Sequence, residues 1–262
     1  MGNRQSTPVS GDLGEWLEGM YRRYNLRRYA GGDPVTFLYS YPDPDDLEPV
    51  ALVASALAFG RVKQILASVR KVLDRLGARP GRFLHDATDS RLHTMLADFR
   101  HRFVGGEELA AMLRGVRVIT KRCGSLQRCF RQGLSKGDET FAPSLTAFAE
   151  ALLAASGGRC GFLVPSPRRG SACKRLNLML RWLVRRDAVD VGAWTGMDPA
   201  RLLIPLDTHM HRMCQTLGLT RRKAADMRTV LEVTAGFAKV CPRDPVRYDF
   251  ALTRPGILGI PA

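Results

Sequence analysis

The chain has 262 residues, of which 45% are hydrophobic and 25% are charged, a balance typical of globular proteins and unlike that of disordered ones. No apolar run reaches the roughly 18 residues that a membrane-spanning helix needs, and the start MGNRQSTPVSGDLGEW has no stretch suited to a signal peptide. We therefore expect a soluble, cytoplasmic protein whose six cysteines are free thiols.

The net charge is the first indication of function. Forty basic residues face 25 acidic ones, which gives a formal charge of +15, and 33 of the forty are arginine. Codon bias can produce the preference for arginine over lysine, but it does not explain the excess of bases over acids. Such an excess favours a polyanionic partner, and nucleic acid is favoured over anionic lipid because no segment has the pattern of an amphipathic anchor.

Helical periodicity begins early in the chain. Residues 1–11 are polar and predict a flexible N-terminus, after which residues 12–259 predict a single helical domain, large enough for two interleaved subdomains. Apolar residues recur every three or four positions from Leu13 to Tyr24. Asp45 or Asp46 is the predicted N-cap of the next helix, whose segment LVASALAFG is apolar nearly all round and predicts burial on most sides.

Helical spacing continues through the rest of the chain, while no alternating run of β-branched residues predicts a strand. Glycines at 77 and at 157–158 mark predicted helix ends. The remaining helical segments are RVKQILASVRKVLDRLG, EELAAMLRGVRVITKRC, TFAPSLTAFAEALLAAS, KRLNLMLRWLVRR, DTHMHRMCQTLG, KAADMRTVLEVTAGFAKV and DPVRYDFALTRPG. The predicted fold is all-α, with about ten helices in two helical subdomains and a cleft between them.

Lys174 is a candidate nucleophile. It stands at the predicted start of a helix, directly after the loop PSPRRGSAC, where backbone N–H groups and the helix dipole bind phosphate and favour the neutral form of an amine. Arg168, Arg169 and Arg175 flank it and act in the same direction. A neutral lysine amine forms Schiff bases with sugar carbons, but a lysine in this position can equally be solvated or contact a phosphate.

Asp207, in LLIPLDTHMHR, is the candidate acid. It follows an apolar run and precedes a helix, so it is a predicted N-cap, and the same position would hold a functional carboxylate at a buried, well-fixed helix start. His209, His211 and Cys214 do not predict a metal site, because residues 209 and 211 point to different faces of a helix and no second pair has zinc-finger spacing. A polar contact within the protein or a contact with a DNA backbone is the preferred role for these histidines.

The order of a basic glycine-containing loop, a lysine on a helix and the segment IPLDTHMHR resembles the helix-hairpin-helix-GPD superfamily of DNA glycosylases, whose P-x-D-[TV]-H-x-x-R stretch holds the essential aspartate. The resemblance implies catalytic roles for Lys174 and Asp207. Their separation of 33 residues is nearest to the archaeal 8-oxoguanine glycosylase branch, which implies base recognition by Asp249. The segment ALAFGRVKQI resembles the one that probes the extruded base, which implies roles for Phe59 and Gln64.

Contacts to the DNA backbone are expected from the flanking basic residues, namely Arg168, Arg169, Arg175, His209, His211 and Arg212. The sequence departs from the superfamily in lacking the L-P-G-V-G-x-K hairpin and the cluster-binding cysteines, and Thr253 stands where an aromatic residue stacks on the base. The chain also resembles, over roughly residues 30–259, a bacterial family of uncharacterised proteins sharing YSYPDPDDLE, SALAFGRV, SACKRLNLMLRW and IPLDTHMHR.

The leading hypothesis is a monomeric, nucleoid-associated DNA repair glycosylase with AP lyase activity, which excises an oxidised purine such as 8-oxoguanine through a lysine Schiff base. It needs no cofactor and no metal. The alternative is a non-catalytic basic DNA-binding protein on the same scaffold, and a third hypothesis, an RNA-binding helical protein, is supported by charge alone.

Overall fold

Helices make up most of the chain. The computed structural model describes residues 13–258, so the predicted flexible segment 1–11 lies outside the described residues. The α-helices are α1 (Leu13–Tyr24), α2 (Pro44–Ala56), α3 (Val62–Leu76), α4 (Pro80–Asp86), α5 (Asp89–Leu96), α6 (Gly106–Cys123), α7 (Leu126–Gln132), α8 (Ala142–Ala155), α9 (Lys174–Val184), α10 (Thr208–Thr216), α11 (Met227–Val240) and α12 (Asp249–Leu258). Short 3-10 helices span Arg27–Tyr29, Pro34–Ser40, Pro167–Arg169 and Pro199–Arg201.

The all-α prediction is confirmed, but the described residues contain twelve α-helices where about ten were predicted. The helices that sequence reasoning missed are α4, α5 and α7, which have only seven or eight residues. Two turns are too short for an apolar stripe to repeat. The strands that the described residues contain are β1 (Arg100–His101) and β2 (Val104–Gly105), an antiparallel pair too short to show alternation.

The helix ends follow local chemistry, with one correction to the sequence analysis. The N-cap of α2 is Asp43, not Asp45 or Asp46, because Pro44 takes the first helical position and Asp43 accepts a hydrogen bond from the N–H of Asp45. Gly77 ends α3 with a φ of 77°, as predicted. The break after α8 at Gly157 and Gly158 is also confirmed, since both have positive φ.

A continuous apolar core runs from Leu17 to Leu252 and includes residues of every α-helix. Helix α2 is buried along its length from Asp46 to Ala56, as its sequence predicted, and packs against α4 and α9. Helix α6 packs against α5, α7 and α8, and α12 packs against α1 and α10. These contacts bring the end of α2 and the first turns of α9, α10 and α12 into one region. All six cysteines are free thiols, as predicted.

Candidate active site

Lys174 is the first residue of α9, as the sequence predicted. The preceding residue, Cys173, has a φ of 46°, a left-handed conformation that is unfavourable for a residue with a side chain. Two hydrogen bonds hold it there: its backbone N–H donates to Ser171 Oγ and its thiol donates to the Pro165 carbonyl, each at 3.2 Å. Burial raises the pKa of the Cys173 thiol to about 11, so this neighbour of Lys174 is uncharged at neutral pH.

Asp207 follows the buried segment 202–206 and is the N-cap of α10. Its Oδ1 accepts a hydrogen bond from the backbone N–H of Met210 at 2.9 Å. Its Oδ2 lies 3.8 Å from Nζ of Lys174. The cap occupies one carboxylate oxygen and directs the other toward the lysine, so the two roles that the sequence left open for Asp207 are compatible in one side chain.

The Lys174–Asp207 pair is only partly buried. The side chain of Lys174 is 27% exposed and that of Asp207 is 40% exposed. Nζ of Lys174 also donates a hydrogen bond to the carbonyl of Ala58, just beyond the end of α2, at 3.4 Å. The amine is therefore held at a fixed place while remaining accessible to a ligand.

The pair lines a cavity of about 680 Å³, within the range of roughly 300–1,000 Å³ that is usual for ligand pockets. The walls come from residues 32–34, the loop between α2 and α3, the first residues of α9 and α10, and one face of α12. Asp249 and Phe59, both predicted to recognise a base, line the same cavity. The fold thus brings together the two predicted catalytic residues and two of the three residues predicted to recognise a base, from four different elements.

Beneath the pair, a buried arginine joins the cavity to an ion-pair network. The guanidinium of Arg181 pairs with Asp249 through Nη1 and with Asp190 through Nε at 3.2 Å, and its side chain is 3% exposed. Burial raises the pKa of the Asp249 carboxyl, and the charge of Arg181 opposes that rise. Nη2 of Arg181 is buried without a hydrogen-bond partner in the structure.

A second arginine, Arg254 of α12, lines the cavity beside this network. Its Nη2 donates a hydrogen bond to Asp33 at 3.1 Å, its guanidinium lies 4.1 Å from the centre of the Phe250 ring, and its buried Nε has no partner. Buried donors without partners are rare in folded proteins. Arg181 and Arg254, which both line this cavity, each have one buried donor without a partner. A hydrogen-bond acceptor on a ligand would satisfy such a donor.

Arg175 and Gln64 occupy less direct positions than the sequence analysis expected. Arg175 lines the cavity, but its guanidinium donates to the carbonyls of Ala56, at 3.1 Å, and Phe162, so these N–H groups are engaged within the protein. Gln64 lies on the exposed side of α3 and is not among the residues that line the cavity. The structure therefore does not bring Gln64 together with Lys174 and Asp207.

The predicted backbone-contacting residues fall into two groups. His209 is exposed and lines the cavity, where its ring packs against Gly256 of α12. Arg168, Arg169 and Arg212 are exposed outside the cavity, where a ligand that extends beyond it would meet them.

Two of these side chains have partners within the protein. Arg168 pairs with Glu150 at 2.8 Å. His211 is buried, and its Nε2 lies 2.9 Å from the carbonyl of Arg222. The surroundings of His211 indicate a structural contact.

Sequence reasoning missed Arg181, although a signal was present. Lys174, Leu178 and Arg181 stand at positions i, i+4 and i+7 of α9, a spacing that places them on one helix face, and all three line the cavity. Arg254 and Asp33 carried no comparable signal, because they lie 221 residues apart.

Two further properties of residues 13–258 bear on function. No helix in this range is long and apolar enough to cross a membrane. The same residues include no group of three or more His, Cys, Asp or Glu side chains arranged to hold a metal ion.

Comparison with known proteins gives a family assignment. Residues 33–258 match the model of a family described as "Protein of unknown function (DUF2400)". The chain belongs to the DUF2400 family. The matched range contains the cavity residues Lys174, Asp207 and Asp249. Neither the curated proteins nor the solved structures gave a match.

Proposed function

We propose that the protein is a DNA glycosylase with AP lyase activity, which removes an oxidised purine such as 8-oxoguanine through a Schiff base on Lys174. The observation that carries the proposal is the approach of Lys174 Nζ to 3.8 Å from Asp207 Oδ2 at the edge of a cavity of about 680 Å³. A nucleophilic amine and a carboxylate 3.8 Å apart, a gap that one bridging water or a small shift of Lys174 closes for proton transfer, beside a cavity of ligand size, are the parts that this reaction requires.

The reaction follows from this geometry. Nζ of Lys174 gives up a proton, for which Asp207 Oδ2 is the near acceptor, and attacks C1′ of the extruded nucleotide. The N-glycosidic bond breaks, and its electron pair leaves on the base, which takes up a proton. Passing its proton to the leaving base returns Asp207 to the ionised form, in which it stabilises the positive charge that develops on the sugar. The C1′–O4′ bond then breaks as O4′ takes up a proton from Nζ, which leaves a protonated imine between Nζ and C1′. Loss of a C2′ proton to the imine as electron sink expels the 3′ phosphate, and water hydrolyses the imine to release Lys174.

Recognition of the base falls to the buried end of the cavity. Asp249 offers carboxylate oxygens to the N–H groups of a purine, and Arg181 and Arg254 are the residues with unpartnered buried donors. An oxidised purine such as 8-oxoguanine carries both additional N–H and carbonyl groups. These additional groups, a donor for Asp249 and an acceptor for a buried arginine N–H, are what distinguishes such a base from unmodified guanine.

The remainder of the proposal concerns the scaffold. It assigns the chain to the helix-hairpin-helix-GPD architecture, with two helical subdomains flanking the cavity, and to a monomer that works on DNA in the bacterial nucleoid. The charge of +15 supplies attraction to phosphates. The exposed Arg168, Arg169 and Arg212, with His209 at the cavity, are the proposed contacts to the DNA backbone.

Borohydride trapping tests the proposal. The protein is incubated with duplexes that each carry one lesion from a panel including 8-oxoguanine, and borohydride reduces any imine to a stable protein–DNA adduct visible on a denaturing gel. We expect an adduct with the wild-type chain and with Lys239→Ala, a control on the exposed side of α11, and none with Lys174→Ala.

A duplex with a preformed abasic site separates the two half-reactions. If only the abasic duplex gives an adduct, the protein has lyase activity but does not remove the base from any of the lesions tested. Absence of any adduct, or one that persists in Lys174→Ala, would contradict the lysine mechanism. Tight, salt-dependent DNA binding without base release, unchanged by Asp207→Asn, would instead identify the non-catalytic DNA-binding protein.

A further inference from the structure

Three phenylalanines from separate loops meet beside the cavity. Phe59 lies between α2 and α3, Phe103 lies in the turn between β1 and β2, and Phe162 lies in the loop before the 3-10 helix Pro167–Arg169. The ring centres of Phe59 and Phe103 are 5.6 Å apart, those of Phe59 and Phe162 are 5.1 Å apart, and those of Phe103 and Phe162 are 4.6 Å apart. Phe59 and Phe162 line the cavity, so the cluster continues its wall outward.

Two of these rings are open to solvent. Phe103 is 59% exposed and Phe162 is 45% exposed, and within residues 13–258 they are the exposed phenylalanines. The other large hydrophobic side chains exposed in that range are aliphatic. Two adjacent exposed aromatic rings at the mouth of a cavity indicate an interaction surface. We refer to Phe103 and Phe162 as the phenylalanine surface.

Contacts below the phenylalanine surface hold it in place. The guanidinium of Arg175 lies 4.3 Å from the ring centre of Phe162 and 5.2 Å from that of Phe59. The His101 ring packs edge-on against Phe59 at 4.6 Å, with its Nε2 3.0 Å from the Phe59 carbonyl. The rings of Phe59 and Phe162 are therefore held in place before any ligand arrives, which lowers the entropy cost of binding to them, and the exposed Phe103 ring packs on both.

Four exposed basic side chains lie around the phenylalanine surface, while Glu107 and Glu108 line a groove with Phe103 on one side of it. Arg100 and Arg102 flank Phe103 on the hairpin, and Arg61 and Lys63 follow Phe59, all with exposed side chains. Arg102 in the hairpin turn packs against Gly60 in the loop after α2, so these two segments are in contact. The approach is close, because a Cβ added at Gly60 would lie 2.8 Å from Cδ of Arg102. Exposed aromatic rings among cations are the arrangement that binds single-stranded nucleic acid, in which bases stack while phosphates pair with the basic side chains.

We propose that the phenylalanine surface stacks an unpaired nucleobase next to the nucleotide whose base enters the cavity, and that the protein consequently prefers DNA with unpaired bases over fully paired duplex. The inference rests on the proposed function only in taking DNA as the ligand of the cavity. A base that is already unpaired reaches the rings without the cost of opening a duplex.

Binding of unmodified DNA tests this inference without any chemistry. Fluorescence anisotropy measures the affinity for a single-stranded oligonucleotide and for the matching duplex at fixed salt. We expect Phe103→Ala to weaken single-strand binding by about tenfold, the scale of one lost base–aromatic stack, and duplex binding by about twofold or less. Phe103→Trp retains an aromatic face and should bind the single strand like the wild type. Leu231→Ala, an exposed aliphatic side chain on α11, is the control and should change neither affinity.

A single-stranded oligonucleotide with one 2-aminopurine adds a direct readout, because stacking quenches the fluorescence of this base. The wild-type chain should quench it, and Phe103→Ala and Phe162→Ala should each reduce the quenching. Equal losses of single-strand and duplex affinity in Phe103→Ala, or unchanged quenching in both variants, would overturn the inference. Because these measurements need no base release, they can fail while borohydride trapping succeeds, and the reverse is equally possible.

Discussion

Lys174 and Asp207 form an ion pair of 3.8 Å with side chains 27% and 40% exposed, whereas Arg181 and Arg185 pair with Asp190 through side chains at most 3% exposed. Exposed pairs contribute about 0–1 kcal/mol to stability because water screens them. Breaking a buried pair costs about 3–5 kcal/mol because it leaves a charge without a partner. The comparison indicates that the fold can lose the exposed pair without unfolding, while the buried network fixes the walls around it.

The buried network extends well beyond the cavity. Arg185 pairs with Asp190, Asp244 and Asp187, and Asp187 also accepts hydrogen bonds from Tyr21 and Asn25. These contacts connect α9 to α1 and to the loop before α12. A network that joins three parts of the chain in this way positions Arg181 and, through it, Asp249.

The largest effect is expected from Asp207→Asn, which removes the acid and keeps the cap. An asparagine caps a helix about as well as an aspartate, so the free energy of unfolding should change little. The rate of base release should fall by about 10²–10⁴, the usual contribution of a general acid or base. Single-turnover kinetics on 8-oxoguanine duplex measures the rate, and thermal unfolding measures stability.

Asp207→Ala serves as the matched variant. It loses the acid and the cap together, so it should show the same fall in rate and an additional loss of stability of about 0.5–2 kcal/mol. A rate for Asp207→Asn within about twofold of the wild type would remove Asp207 from the reaction and leave it as a cap alone.

The second prediction concerns the buried side of the comparison. Asp190→Asn keeps the shape of the side chain but takes a charged acceptor from Arg181 and Arg185, which retain their pairs with Asp249, Asp187 and Asp244, so we expect a loss of about 1–3 kcal/mol in the free energy of unfolding. For a chain of this size each kcal/mol lowers the melting temperature by about 2–4 °C. Urea unfolding followed by circular dichroism measures the change.

Asp98→Asn is the exposed control, because Asp98 pairs with Lys71 and Arg75 at the surface. Its removal should leave the melting temperature nearly unchanged. Equal melting temperatures for Asp190→Asn and the wild type would contradict the scaffold role of the buried network.

Much of the fold could be predicted because long helices repeat their apolar stripe. Helix α3 repeats its apolar stripe over four turns, and the sequence predicted the end of this helix at Gly77. The two-turn helix α7 gave no such repeat, and it depends on a contact across the chain: Glu48 of α2 accepts hydrogen bonds from the N–H groups of Leu126 and Gln127. No local pattern could predict that stabilisation.

The candidate site divides in the same way. The places of Lys174 at a helix start and Asp207 at an N-cap follow from a few neighbouring residues, and both were predicted. Their approach to 3.8 Å depends on where the fold places the first residues of α9 and α10, which sequence spacing alone does not give. The phenylalanine surface was not predicted at all, since Phe103 and Phe162 come from separate loops whose sequences have no periodicity.

The smallest effect is expected at a second partly exposed pair, Arg247 and Glu18, whose side chains are 31% and 38% exposed, much like those of Lys174 and Asp207. Glu18 of α1 accepts hydrogen bonds from Arg247 at 2.9 Å and from Tyr248 at 2.7 Å. The hydrogen bond from Arg247 lowers the pKa of the Glu18 carboxyl, so its ionised form stabilises the folded state at neutral pH, and this contribution is lost as the pH falls through the lowered pKa. Glu18→Gln should therefore cost less than about 1 kcal/mol at pH 7, and the difference from the wild type should shrink in acid. Paired urea titrations at pH 7 and at about pH 3 measure it. If the stability difference between Glu18→Gln and the wild type instead grew in acid, Glu18 would stabilise the fold through its shape and not through its charge. Side-chain exposure would then not explain the contribution of this pair.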